Sequence, residues 1–96
     1  MAISPLRIGS LQIWPPVMSA PMAGYTGGVY REILREHGCP YCVTEMVSAK
    51  GLLFGGDESE EILVHTSQDR PLAVQIFGYE PESMAAAAEM LSRPEN

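Results

Sequence analysis

Val17-Met18-Ser19-Ala20-Pro21-Met22-Ala23-Gly24 is a short apolar run that breaks abruptly into a loop of small residues. Val17 to Ala20 predict the first core strand. Pro21 fixes its own φ and lacks an N–H, so a hydrogen-bonded ladder cannot pass through it. Ala23 and Gly24 leave the backbone open to close approach by something flat. A strand ending in such a loop is either a binding edge or only a tight turn, and these residues alone allow both.

Upstream, Leu6 to Ile13 alternates around Gly9-Ser10 and predicts a β-hairpin, followed by a rigid Trp14-Pro15-Pro16 bridge. Downstream, Thr26 caps a helix whose apolar stripe is Val29, Tyr30, Ile33 and Leu34, and Gly38 ends it. Tyr41 to Met46 reads as a second strand, Val47 to Gly56 as a long functional loop, and Glu58 to Val64 as a short helix. After a turn at Gln68 to Pro71, Leu72 to Phe77 is a third strand with a near-continuous apolar run. Pro81 opens a last helix with Met84, Ala87, Ala88 and Leu91 on its buried side. The order β-α-β-α-β-α implies an α/β fold of parallel strands joined by right-handed crossovers, with no linker dividing it.

Composition narrows the function classes. The chain has 96 residues, 46% hydrophobic and 19% charged, enough for one small domain. Six basic against twelve acidic residues give a net charge of −6, and the basic residues are scattered. A main docking surface for RNA needs clustered Lys and Arg, so this stretch is not one. No apolar run reaches the length of a membrane span, and Met1 to Pro5 lacks a secretory pattern, which makes the cytoplasm the expected location.

In a parallel barrel, chemistry gathers at the C-terminal ends of the strands. Here those ends are Pro21-Met22-Ala23, Glu45-Met46 and Gln75. An apolar rim with one amide and one carboxylate suits a flat heteroaromatic ring, and a glutamine amide both donates to and accepts from such a ring's polar edge. Glu45, at the end of a mostly apolar strand, needs a partner or open water; it shapes a pocket or holds a neighbouring loop.

Taken in order, Ala20-Pro21-Met22-Ala23-Gly24, Thr44-Glu45-Met46-Val47-Ser48-Ala49, Lys50-Gly51-Leu52-Leu53 and Arg70 to Gly78 resemble the N-terminal part of the tRNA-dihydrouridine synthases. The resemblance implies the N-terminal portion of a TIM (β/α)8 barrel, about three βα units after a short hairpin. A whole barrel takes roughly 250 residues, so 1–96 is expected to be one partial barrel domain stopping before the fourth core strand. It further implies FMN as cofactor and NADPH as reductant. Pro21, Met22, Ala23 and Gln75 would be the cofactor contacts. The reaction implied is reduction of uridine to 5,6-dihydrouridine in tRNA, with the target base leaving its stack. The family's acid cysteine follows the fourth strand in an Asn-x-Gly-Cys-Pro motif that this sequence does not reach, so no catalytic residue is assigned. Alone the chain is expected to be inactive and to need the missing barrel portion, through which tRNA would be bound. Two departures are Gly27-Gly28 after Thr26, where an acidic residue is common, and Glu80 before Pro81, where a better cap is usual.

Three alternatives remain. One is another FMN-dependent barrel oxidoreductase; a second is a small thiol-redox protein using Cys39 and Cys42; a third is a non-enzymatic truncated product. Cys39-Pro40-Tyr41-Cys42 has the composition glutaredoxins carry, but it follows a helix and leads into a strand. No helix N-terminus is there to stabilise a thiolate, so free, largely buried thiols are expected. His37 and His65 stand alone and suit surface or capping roles; no metal site is expected. Lys50 is an exposed lysine or meets an RNA phosphate, and Asp57 to Glu61 is a solvated helix start.

Overall fold

The alternation around Gly9-Ser10 folds back on itself as expected. In the computed structural model, which describes residues 2–55 and 62–93, β1 (Leu6–Ile8) runs antiparallel to β2 (Leu11–Ile13), with Leu6 opposite Ile13 and Ile8 opposite Leu11. Then follow α1 (Gly28–Glu36), β3 (Cys42–Ser48), α2 (Ala49–Phe54), β4 (Leu72–Phe77) and α3 (Pro81–Leu91). The hairpin forms one two-stranded sheet and the parallel pair β3–β4 another. The chain is an α/β structure in which α2 and α3 pack on each other and α3 lies on β4.

The register of the parallel pair sets its two faces. Cys42 pairs with Leu72, Val43 with Ala73, Met46 with Gln75, Val47 with Ile76 and Ser48 with Phe77. Between Val43 and Met46, β3 spends two residues, Thr44 and Glu45, against the single Val74 of β4. Such a bulge flips every later side chain of its strand to the other face. One face, with Leu72 and Val74, borders a cavity of about 310 Å³ closed in part by Leu91 of α3. The other carries Ala73, Met46, Gln75 and Phe77, and no helix among the described residues covers it: Met46 is 48% exposed and Phe77 47%. The fully buried apolar set is accordingly small, led by Ile13, Cys42, Val47, Ala49 and Ala87.

Several expectations need correction. Val17 to Ala20 do not form a strand. Ser19 does lie against β3, its N–H donating to the Tyr41 carbonyl (3.0 Å), but the next position of the ladder is taken by a side chain, the Val43 N–H donating to Ser19 Oγ (3.1 Å). Val47 to Gly56 is not a loop throughout. Ser48 Oγ accepts from the Gly51 N–H (3.1 Å) and caps α2 directly at the end of β3. Thr26 does not cap α1; Gly27 holds that position.

Most of the stripe of α1 is also turned outward, Leu34 alone being half-buried. Val29 is 73% exposed and Ile33 50%, while Arg31 is 1% exposed. The physical reason is Asp69, buried just before β4: its carboxylate draws Arg31 and Arg35, one helical turn apart, to the inner side. Gly38, with φ of +95°, ends the helix as expected. The final helix has Pro81 in its first turn and Ala87 fully buried, while Ala88 is exposed. Of the helix expected over 58–64, residues 58–61 lie outside the described residues, as does the acidic cluster; Ile62 and Leu63 are helical. Among the described residues no helix is long and apolar enough to cross a membrane.

Candidate functional site

The loop that follows Ala20 is built by its own polar atoms. The Met22 carbonyl accepts from the N–H groups of Tyr25 and Thr26 (3.0 Å each). The Thr26 hydroxyl closes the same ring from both sides: it accepts from the Met22 N–H (3.0 Å) and donates to the Met22 carbonyl (3.1 Å). Thr26 is fully buried there, the polar side chain being satisfied within the loop. Gly24 sits at φ +82°, where a residue with a Cβ is strained. In that conformation its N–H donates to Glu45 Oε1. The loop is therefore pinned at Met22 by Thr26 and at Gly24 by β3.

Glu45 reaches Gly24 because it lies in the bulge. Thr44, the other bulge residue, is fully buried, and its hydroxyl donates to the Glu45 carbonyl (2.8 Å) and accepts from the Gln75 N–H (3.0 Å). A side chain thus fills the gap that the extra residue leaves in the ladder, and the neighbouring carboxylate is turned toward the loop.

These contacts locate the expected site residues. Glu45 holds Gly24; its neighbour Met46 pairs with Gln75. Loop and glutamine therefore stand at the C-terminal half of the parallel pair. Pro21 is half-buried, while Ala23 is exposed and Met22 is 47% exposed. The Gln75 side chain shares the uncovered face with Met46, and its amide makes no hydrogen bond to any other described residue. Chemically, the loop offers apolar side chains, and Gln75 offers a donor and an acceptor with no partner among the described residues.

A family model described as dihydrouridine synthase matches residues 18–94. The chain belongs to the dihydrouridine synthase family. It is 36% identical over 84 residues to tRNA-dihydrouridine synthase B of Vibrio parahaemolyticus, covering 88% of this chain and 26% of that protein. With tRNA-dihydrouridine synthase B of Pseudomonas aeruginosa the identity is 36% over 87 residues, covering 91% of this chain and 26% of the relative. With a probable tRNA-dihydrouridine synthase of Aquifex aeolicus it is 35% over 77 residues, 80% and 24% respectively. The chain spans about a quarter of the length of the curated relatives it matches.

Other residues singled out in this member of the family have different fates. Lys50 does not stand free: its Nζ lies 2.7 Å from Glu80 Oε1 and 5.2 Å from the centre of the Tyr79 ring. The hydrogen bond between them raises the lysine pKa and lowers that of Glu80. Glu80, unsuited as a helix cap, spends its carboxylate on Lys50 and on the Ser83 hydroxyl (3.3 Å). His37 caps α1, Nδ1 lying 2.9 Å from the Ile33 carbonyl, and His65 Nδ1 lies 2.8 Å from the Leu63 carbonyl. Among the described residues no three His, Cys, Asp or Glu side chains are grouped to hold a metal ion.

Cys39 is half-buried and Cys42 buried, and neither is in a disulfide. Burial pushes the Cys42 thiol up, only partly opposed by a hydrogen bond with Ser19 and by the Arg35 charge. Both cysteines lie at the N-terminal end of β3, away from the Gly24–Glu45 contact.

The largest feature that sequence reading missed is the cluster at Asp69. Arg31 Nε and Arg35 Nε each lie 2.8 Å from one of its carboxylate oxygens. Arg31 Nη1 also donates to the Thr26 carbonyl (3.0 Å), and Arg35 Nη2 to the Pro71 carbonyl (2.8 Å). The cluster thereby ties α1 both to the end of the Met22–Thr26 loop and to the start of β4. Its sequence signal is faint: Arg31 and Arg35 are spaced i, i+4 on one side of a helix that also offers an apolar stripe.

Proposed function

We propose that this chain supplies the N-terminal part of a flavin-dependent tRNA-dihydrouridine synthase barrel, with Pro21, Met22, Ala23 and Gln75 seating FMN. The reading is supported above all by the pinned loop: Glu45 fixes Gly24 beside the strand whose next residue pairs with Gln75. The relatives, tRNA-dihydrouridine synthases, support the substrate, a uridine in tRNA.

The residues present fit the cofactor. A flavin ring is planar, and the exposed Met22-Ala23 backbone carries no branched side chain that would hold it off. The Gln75 amide offers one donor and one acceptor on the same face, which matches the alternating polar edge of the ring. The chemistry the cofactor supplies when bound is delivery of hydride, originating from NADPH, to the uracil ring. The protein's part is positioning. Thr26 and Glu45 hold the loop rigid, Gln75 sets the in-plane orientation, and a fixed ring face is what alignment with a substrate base requires. Cys39 and Cys42, at the far end of β3, take no part.

The uncovered face with Met46 and Phe77, and the outward stripe of α1, suit an unfinished barrel whose remaining units would cover them. In that reading 1–96 is one partial barrel domain, working in the cytoplasm and inactive without the rest of the barrel.

The test is a chimaera in which residues 8–93 replace the matching segment of the Pseudomonas aeruginosa relative. The purified chimaera is expected to carry FMN by its visible absorbance and to form dihydrouridine in tRNA. Gln75→Leu in that chimaera is expected to lower FMN affinity about tenfold, the size of one lost hydrogen-bonding group in a ligand site. A chimaera that folds cooperatively but binds no flavin would overturn the reading.

A further inference from the structure

Cys39 and Cys42 meet at the corner where α1 gives way to β3. Their Sγ atoms are 4.0 Å apart. A disulfide bond is about 2.05 Å long, so closure needs an approach of roughly 2 Å. The corner is already bent for it: Gly38 takes φ +95° and Pro40 fixes its own φ between the two cysteines. Access is unequal, Cys39 being half-buried and Cys42 fully buried.

We propose that Cys39 and Cys42 form a reversible disulfide by exchange with a small-molecule disulfide, closing the α1–β3 corner. The step proceeds in two exchanges. Cys39, as thiolate, attacks one sulfur of the small disulfide, forms a mixed disulfide and releases one thiol. Cys42 then attacks Cys39 Sγ and its proton passes to the departing thiolate, which leaves as the second thiol. The protein's two thiols give up two electrons and two protons, and the small disulfide is reduced to two thiols. The unequal burial fixes the order, since the accessible sulfur attacks the small disulfide first and the buried one resolves.

The bond lands on the anchor of the loop segment. Between the two cysteines, the Tyr41 carbonyl accepts from the Ser19 N–H, and just beyond them the Val43 N–H donates to Ser19 Oγ. Closing the ring therefore stiffens the attachment of the 17–20 segment to β3. The effect is on the stability of that attachment, because the pair sits at the end of β3 opposite the Gly24–Glu45 contact.

The experiment equilibrates the 96-residue chain, native and urea-unfolded, with mixtures of oxidised and reduced glutathione, with acid quenching and mass spectrometry. The native chain is expected to lose two hydrogens without an adduct, with an equilibrium constant about tenfold or more above that of the unfolded chain. Cys42→Ser is expected to keep glutathione on Cys39, and Cys39→Ser to resist modification. The proposal is overturned if the native constant is no higher than the unfolded one. It is overturned equally if the unsubstituted native chain holds a stable glutathione adduct or couples between chains.

Discussion

The Glu45 carboxylate accepts a hydrogen bond from the backbone N–H of Gly24, 21 residues earlier in the chain. This contact joins the loop that breaks after Ala20 to the bulge of β3, and through the neighbouring Met46–Gln75 pair it relates that loop to β4. Hydrogen bonds from a backbone N–H to an ionised carboxylate contribute about 1.5–3 kcal/mol, more than a neutral pair. Glu45→Ala is therefore expected to speed hydrogen exchange at the Gly24 amide by at least about tenfold. Glu45→Gln, which keeps an acceptor oxygen, should show a smaller increase. Unchanged exchange in Glu45→Ala would show that the loop does not depend on this bond.

Asp69 carries the largest predicted effect on stability. Its carboxylate is shared by two guanidinium groups, and the Arg31 side chain is only 1% exposed. Removing one partner of a buried pair leaves an uncompensated charge and costs about 3–5 kcal/mol. Asp69→Ala is expected to lower the unfolding free energy obtained from urea denaturation by an amount in that range. Arg35→Ala should cost less, because Arg31 still faces the carboxylate.

The Lys50–Glu80 pair makes a pH-dependent prediction. The Glu80 pKa is lowered by its hydrogen bond to Lys50, so its contribution is present above the ordinary carboxylate range and is lost as pH falls through the depressed value. The Lys50 pKa is raised by the same bond, so its contribution holds below the ordinary lysine range and is lost as pH rises through the elevated value. An NMR titration is expected to find Glu80 ionising at lower pH than an ordinary glutamate, and Lys50→Met should move it back toward the ordinary range. A Glu80 titration unaffected by Lys50→Met would contradict the pairing.

Gly38 tests the corner between α1 and β3. Its φ of +95° is a conformation that side chains with a Cβ rarely adopt, and open space surrounds the position where a Cβ would stand. Gly38→Ala is thus expected to cost about 1–2 kcal/mol through backbone strain alone. Gly38→Asn should cost less than Gly38→Val, since asparagine tolerates this region better. Denaturation midpoints for the three variants check the order.

The sequence by itself determined several of the local elements and the family. Leu6 to Ile13 had to turn at Gly9-Ser10, Leu72 to Phe77 is apolar along its length, and Pro81 could stand only near a helix start. Each of those signals is carried within a few neighbouring residues. The ordered segments from Ala20 to Gly78 likewise sufficed to point to the dihydrouridine synthases, which the match over residues 18–94 then showed.

Tertiary structure alone decided which side chains serve the candidate site and which way α1 faces. The bulge at Thr44–Glu45 exists because a buried hydroxyl stands in for a carbonyl in a ladder with β4, a strand about 30 residues away; no local pattern encodes that partner. Val29 and Ile33 looked like core because hydrophobic spacing is read without knowing where counter-charges lie. A buried carboxylate at Asp69 cannot go unpaired, and satisfying it turned the helix so that Arg31 and Arg35, rather than Val29 and Ile33, face inward.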